Sequence, residues 1–458
     1  MILLATDLAF FTTLIACGIY VAAARGDPVS RARWRVVLGS PVGGGAALVL
    51  ALYVVTACLD SVHLDTPGGV RSLLDRALHP LRTQVETTYS APFAAYGHAR
   101  ETVQLADGRM VQEYPRLRFG ARHLADPERE RTPDIIHRAF VGGGVGLAVF
   151  GVLLLTINAV RGRPIRQAAA QLRERPWAGH GWLLAALCAG VGAVAALAPH
   201  YHVLGTDKVG NDVLLLTLKS VRTGLVIGVV SSAIALPIGV ALGIAAGYFG
   251  SWVDDVVQYL YTTLSSVPGV LLIAAAALSF DLLLQQTTGA FASLEMRADL
   301  KLLSLCLVLG LTGWTGLCRL VRAETLKLRA IEYVSAARAL GTPVRRILSW
   351  HLVPNTFHLV IITTVLDFSG LVLAEAVLTY IDIGVDPSME SWGNMINGAR
   401  LELAREPVVW WSLAAAFAGM FVLVLAANLF ADAVRDAFDP HLREVPPTNR
   451  REVPDVAA

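Results

Sequence analysis

The stretch EYVSAARALGTPVRRILSWHLVPN, residues 332–355, lies between two long apolar segments and is too polar to cross a bilayer itself. Glu332, Ala336, Ala337 and Leu340 share one stripe of a helix that favours its own formation through the run SAARAL. The preceding apolar segment meets no strong breaker before Gly341, a residue suited to a left-handed helix cap. Thr342 is expected to cap a second helix, with Pro343 at its first position, where a missing N–H costs nothing. Val344, Ile347, Leu348, His351 and Leu352 form one side of that helix, and Arg345, Arg346 and Ser349 the other. Pro354 disfavours helix at Val353. The expectation is two short amphipathic helices joined at a glycine turn. A helix of about ten residues is about 15 Å long and would fill a groove on another protein. A basic amphipathic segment can equally lie on lipid headgroups. Physics alone leaves both uses open.

The surroundings of this stretch set the fold class. The chain is 55% hydrophobic and 16% charged, with a mean hydropathy of +0.56, against about 25% charged residues in ordinary soluble domains. Apolar runs long enough to span a bilayer recur at about 2–24, 36–59, 139–160, 182–199, 222–249, 256–280, 302–320, 357–380 and 408–432. This is the pattern of an all-α polytopic membrane protein. The net charge of +2 is too small to suggest a nucleic-acid partner.

Charge between the spans orients the chain. Arg25, Arg31, Arg33 and Arg35 follow the first span, and Arg161, Arg163, Arg166, Arg173 and Arg175 follow the third. Arg319, Arg322, Lys327, Arg329, Arg338, Arg345 and Arg346 flank or occupy the quoted stretch, and Arg435, Arg443, Arg450 and Arg451 follow the last span. With the N-terminus outside, all four basic segments, including the C-terminal tail, fall in the cytoplasm. The first segment ends in Ala22-Ala23-Ala24 but carries Asp7 and no basic residue before its apolar run, so it reads as a retained helix rather than a leader. Residues 60–138 then lie outside as a long loop or small domain. Within them VRSLLDRALHPL (70–81) reads as an amphipathic helix and QLADGRMVQEY (104–114) as a hairpin turning at Asp107-Gly108.

Several chemistries have no support. Cys17, Cys58, Cys188, Cys306 and Cys318 all lie in or beside apolar segments without ligand spacing, which points to packing. No GxxxxGK[ST] phosphate loop occurs, and GSPVGGGA (39–46) lacks the lysine. His63, His79, His98, His123 and His137 read as loop residues. No catalytic, cofactor-binding or metal residues are assigned. Gly239, Gly243 and Gly247 make a GxxxGxxxG stripe best read as packing within the chain.

The quoted stretch resembles the cytoplasmic "EAA" loop of ABC-importer permeases through Ala336-Ala337, Gly341 and Pro354. In order along the chain, HVLGTDKVGNDV (202–213), GYFGSWVDD (247–255), YVSAARALG with RRILSWHLVPN, LAEAVLTYIDIGV (373–385), SWGNMINGAR (391–400) and NLFADAVRDAFDPHLR (428–443) resemble the C-type permeases of oligopeptide, dipeptide and nickel importers. The resemblance covers roughly residues 180–443. It implies a six-span permease core there, with a coupling loop at 321–356 carrying Glu332, Ala336, Ala337, Arg338, Gly341, Pro343, Arg345, Arg346 and Pro354. It implies an external segment carrying Gly205, Thr206, Asp207, Gly210 and Asp212. The implied partners are a second permease, two subunits that bind ATP and magnesium, and an extracytoplasmic binding protein delivering peptides. Asn211 stands where the family has arginine, and Thr379, Asp382 and Ala431 replace serine, glycine and glycine. Residues 1–59 (two spans), 60–138 and 139–179 (a third span and a basic linker) fall outside the implied core, and 444–458 form a tail.

Asp367 and Glu375 lie eight residues apart in one span, roughly on one face. Carboxylates in a membrane span line a polar path or anchor neighbouring helices. Both readings stand at this point. So do two competing functions: a membrane sensor or assembly protein using residues 60–138, and a self-sufficient secondary transporter.

Overall fold

A computed structural model describes residues 4–24, 26, 28–66, 69–104, 110–160, 177–286 and 294–438. The first helices are α1 (Ala5–Ala24), α2 (Pro28–Gly39) and α3 (Pro41–Ser61). A hairpin, β1 (His63–Thr66) and β2 (Gly69–Ser72), leads into short helices α4 (Leu73–Ala77) and α5 (His79–Thr83). Strands β3 (Glu101–Gln104) and β4 (Met110–Glu113) pair antiparallel; the expected turn between them lies outside the described residues, as do the basic linker 161–176 and residues 439–458. Then follow α6 (Pro127–Val160), α7 (Trp177–Leu197), α8 (Val213–Phe249), α9 (Ser251–Ser266), α10 (Gly269–Gln286), α11 (Leu294–Gly313) and α12 (Thr315–Leu328). Helix α13 (Glu332–Ala339), α14 (Val344–Ile347), a π-helical turn (Leu348–Leu352), α15 (Val353–Tyr380), α16 (Trp392–Glu402) and α17 (Trp411–Phe438) complete the chain.

Among the described residues eight helical segments are long and apolar enough to cross a membrane, or nine if the pair α9–α10 counts as one. That pair corrects the expected straight span at 256–280, because the two helices meet at 90°. The cause is local: Val267 precedes Pro268 and is held extended at φ −88°, ψ 134°. The expected amphipathic helix at 70–81 is likewise broken: its first residues end β2, and two short helices follow, the first opened by a reciprocal cap between Ser72 and Asp75.

Packing crosses the expected division near residue 180. Phe10 of α1 and Ala57 of α3 share one core with Leu225 and Ile227 of α8, Leu302 and Leu309 of α11, Val372 of α15, Trp392 of α16 and Leu423 of α17. Helix α7, where the expected permease core begins, pairs along its length with α6. The glycine stripe of α8 lies against α12 within the chain: Cβ atoms at Gly239, Gly243 and Gly247 would meet Leu317, the Cys318 carbonyl and Thr325. Lipid supplies no hydrophobic drive between helices, so this close approach and its dispersion contacts hold the pair.

Charge also joins the first helix to the rest. The buried Asp7 carboxylate accepts two hydrogen bonds from the Arg222 guanidinium of α8, at 2.9 and 2.7 Å, with the His63 ring 3.4 Å away. Thr6 donates to Asp299 of α11. At the opposite end, Tyr20 packs on Phe357, and Trp34 packs between Phe430 and Phe438. The end of α1, α2, the start of α15 and the end of α17 therefore share one end of the bundle.

Candidate functional site

The stretch 332–355 sits at that same end. Helix α8, with 37 residues, is about 55 Å long, longer than the roughly 30 Å hydrocarbon thickness, and the stretch packs against its C-terminal end. Val334, Ile347 and Leu352 are fully buried against Ile244, Tyr248, Leu317, Val321 and Leu328. These contacts fix the seat of the loop.

Three local expectations are corrected. The span before the loop stops at Leu328 rather than continuing to Gly341. Arg329 donates to the Gly247 carbonyl at 3.1 Å, at the end of α8. The turn this anchors lets Val334 fold back onto the core. Thr342 does not cap the second helix; Pro343 occupies the cap position with no side-chain bond. The reason is that Thr342 closes the first helix. Its N–H reaches the Ala337 carbonyl and the Gly341 N–H reaches that of Arg338, both at 3.0 Å, with Gly341 at φ +74°. That is the Schellman arrangement. Finally, helix continues through Val353, because the π turn links the Val353 N–H to the Leu348 carbonyl and leaves Pro354 in the first turn of α15.

The outward surface follows from this seating. Glu332, Ala336 and Leu340 are exposed and Ala337 partly so, with Leu340 85% exposed. Pro343, Val344, Arg345, Arg346 and Pro354 are also exposed. The Arg338 guanidinium lies over the Tyr248 ring and that of Arg346 over Trp350, at 5.3 and 5.6 Å. Asn355 donates to the Tyr333 hydroxyl and the His351 carbonyl, tying the two halves of the loop together.

Asp367 and Glu375 do not share an environment. Glu375 is 1% exposed and accepts from Thr379 at 2.9 Å, against Gly393 of α16. Asp367 is exposed and borders a cavity. Eight residues turn a helix by about 80° beyond two full turns, enough to separate the two carboxylates.

At the far end, the segment 202–213 is bound by the chain between α5 and β3. Thr206 Oγ1 accepts from the Ser90 N–H at 2.7 Å and donates to the Thr88 carbonyl at 2.9 Å. Trp411 Nε1 donates to the Thr206 carbonyl at 2.9 Å. Asp207 accepts from the Val209 and Asn211 N–H groups, and Asn211 Nδ2 reaches it at 3.4 Å. Gly205 and Gly210 have φ of +75° and +83°, and a Cβ at Gly210 would strike the Glu86 carbonyl. Asp212 caps α8 and accepts from His202 Nδ1 at 2.8 Å, while His202 Nε2 lies 3.3 Å from Glu86. Burial alone would lower the His202 pKa, but the Asp212 and Glu86 carboxylates outweigh it and raise it to about 9. Burial raises that of Glu86, but bonds from His202 and the Phe119, Gly120 and Arg118 N–H groups bring it to about 2. Sequence reading missed Glu86 and His202, which lie 116 residues apart. Among the described residues no group of three His, Cys, Asp or Glu is placed to hold a metal ion.

Comparison with known proteins identifies the family. Residues 239–444 match the family of binding-protein-dependent transport system inner membrane components. The chain is 30% identical over 244 residues to the oligopeptide transport system permease protein OppC of Mycobacterium tuberculosis, covering 53% of this chain and 77% of that one. It is 31% identical over 241 residues to a putative peptide permease protein of Brucella suis, covering 52% and 73%. It is 30% identical over 240 residues to OppC of Haemophilus influenzae, covering 52% and 70%. This all-α, multi-pass chain, with this relatedness, belongs to the inner-membrane permease components of binding-protein-dependent ABC transporters.

Proposed function

We propose that this chain forms one half of the transmembrane path of an ATP-driven peptide importer and that residues 332–355 couple it to a separate ATP-binding subunit. The observation that carries the reading is the outward stripe Glu332, Ala336, Ala337 and Leu340. Its leucine is 85% exposed although Val334, Ile347 and Leu352 of the same loop are buried in the core. A large apolar side chain held out from a fixed surface suits a pocket on a partner. Headgroup binding is the weaker reading, because the acidic Glu332 shares the stripe.

ATP and magnesium would bind the partner, since this chain contains no GxxxxGK[ST] sequence. Coupling requires only that the loop's contacts differ between the partner's nucleotide states. A second permease would complete the path, and a binding protein would deliver peptide from outside. Peptide as substrate follows the relatives' names. The basic residues of α2 and the loop favour a cytoplasmic position for their shared end, with the N-terminus outside. Glu375 serves as an anchor between α15 and α16. Residues 86–93 brace the external segment through bonds from the Glu86, Ser90 and Phe93 N–H groups, a use that disfavours a freely responding sensor domain. Purification of the chain with its cellular partners tests the whole reading. Recovery of a second permease and an ATPase with a phosphate-binding loop supports it. A preparation of this chain alone that sustains transport sinks it.

A further inference from the structure

Several carboxylates of the bundle have partners among the described residues. Asp7 meets Arg222, Asp254 meets Arg322, Asp281 meets Lys301, and Glu375 accepts from Thr379. Asp367, midway along α15, has no hydrogen bond or ion pair among the described residues. It opens on a cavity of about 250 Å³ between α8, the junction of α11 with α12, and α15. Ser232 of α8 lines the same cavity, is 8% exposed, and its hydroxyl has no partner among the described residues. Thr364, on α15, donates its hydroxyl hydrogen to the Val360 carbonyl at 2.7 Å and retains acceptor capacity toward the cavity. The remaining lining is apolar or glycine.

We infer that this cavity receives a cationic amine of the transported substrate, a peptide α-ammonium or lysine side chain, with Asp367 as its counter-ion and Ser232 and Thr364 as hydroxyl acceptors. The donor arithmetic favours an ammonium. It offers three N–H donors and needs acceptors only, which is what these three residues supply. A divalent metal is a poor match, because a hard cation seeks about six oxygen ligands and the lining holds one carboxylate and two hydroxyls. The cavity admits an aminoalkyl group rather than a whole peptide, so it recognises one end of a substrate in transit. An unpaired carboxylate in a span is costly against lipid, and a passing amine offsets that cost only while it is bound.

The inference rests on the importer reading and is tested in the complete transporter reconstituted in vesicles. Uptake is measured for two otherwise identical peptides without basic side chains, one with a free α-amine and one N-acetylated. For each peptide only the ratio of variant to wild type is read, so the binding protein's own preference cancels. Asp367→Asn is expected to slow the free-amine peptide by about tenfold, as loss of a charge partner does, and to affect the acetylated peptide far less. Asp367→Glu should restore most of the loss, and Ser232→Ala should give a smaller loss with the same selectivity. An equal effect on both peptides, or on neither, overturns the inference. A wild-type transporter that imports neither peptide overturns the importer reading and the inference with it.

Discussion

Gly341 concentrates the loop's requirements in one residue. Its φ of +74° is needed for the closing bonds from Gly341 and Thr342, yet a Cβ there meets nothing within 4 Å. Substitution therefore acts through the backbone alone. Gly341→Ala is expected to cost the loop about 1–2 kcal/mol. Gly341→Val should cost more, because a β-branched residue tolerates positive φ worst. Membrane insertion should be unchanged in both, while co-purification of the ATP-binding subunit and its stimulated hydrolysis fall in the order Gly, Ala, Val. Normal assembly of the valine variant would count against a coupling role. Leu340→Glu separates docking from folding. At 85% exposure the change should alter stability by no more than about 0.5 kcal/mol, yet it should weaken recovery of the ATP-binding subunit.

At the scale of elements, two charged contacts hold chain segments that lie far apart in sequence. Arg222 of α8 binds Asp7 of α1 in a buried setting. Removing one partner strands the other, so Arg222→Ala is expected to destabilise the detergent-solubilised protein by about 3–5 kcal/mol. The double variant with Asp7→Ala should recover part of that loss in a thermal-unfolding measurement. The Glu86–His202–Asp212 contact brings pH into the stability of the external end. His202 has a folded pKa of about 9, above its ordinary 6.5, so its contribution is full below pH 6.5 and is lost as pH rises through 9. Glu86 has a folded pKa of about 2, below its ordinary 4.5, so its contribution is full above pH 4.5 and is lost as pH falls through 2. Both are complete between pH 4.5 and 6.5. The thermal midpoint should decline from pH 6.5 to 9, and His202→Gln should flatten that decline. An unchanged slope in the variant would assign the pH response to other groups.

At the scale of the whole molecule, the apolar runs announce an all-α membrane chain, and the glycine stripe of α8 and the turn at Gly341 are legible because each depends on local chemistry. Which helices meet is not. Apolar helices have little polar patterning to name a partner, so α3, which packs on α8 and α17, and α7, which packs on α6, could not be told apart by sequence. The Schellman closure was half legible: Gly341 marked the turn, but the use of Thr342 in the preceding helix rather than the following one depends on backbone bonds. Asp367 and Glu375 looked alike as intramembrane acids and separated only when burial distinguished them. The central claim is that the outward stripe of α13 meets an ATP-binding subunit. A photocrosslinking residue placed at position 340 in the assembled transporter tests it most directly. The account predicts a crosslink to the ATP-binding subunit whose yield changes between nucleotide-free and ATP-bound states. Crosslinks to lipid alone, with the ATP-binding subunit present and active, would contradict it.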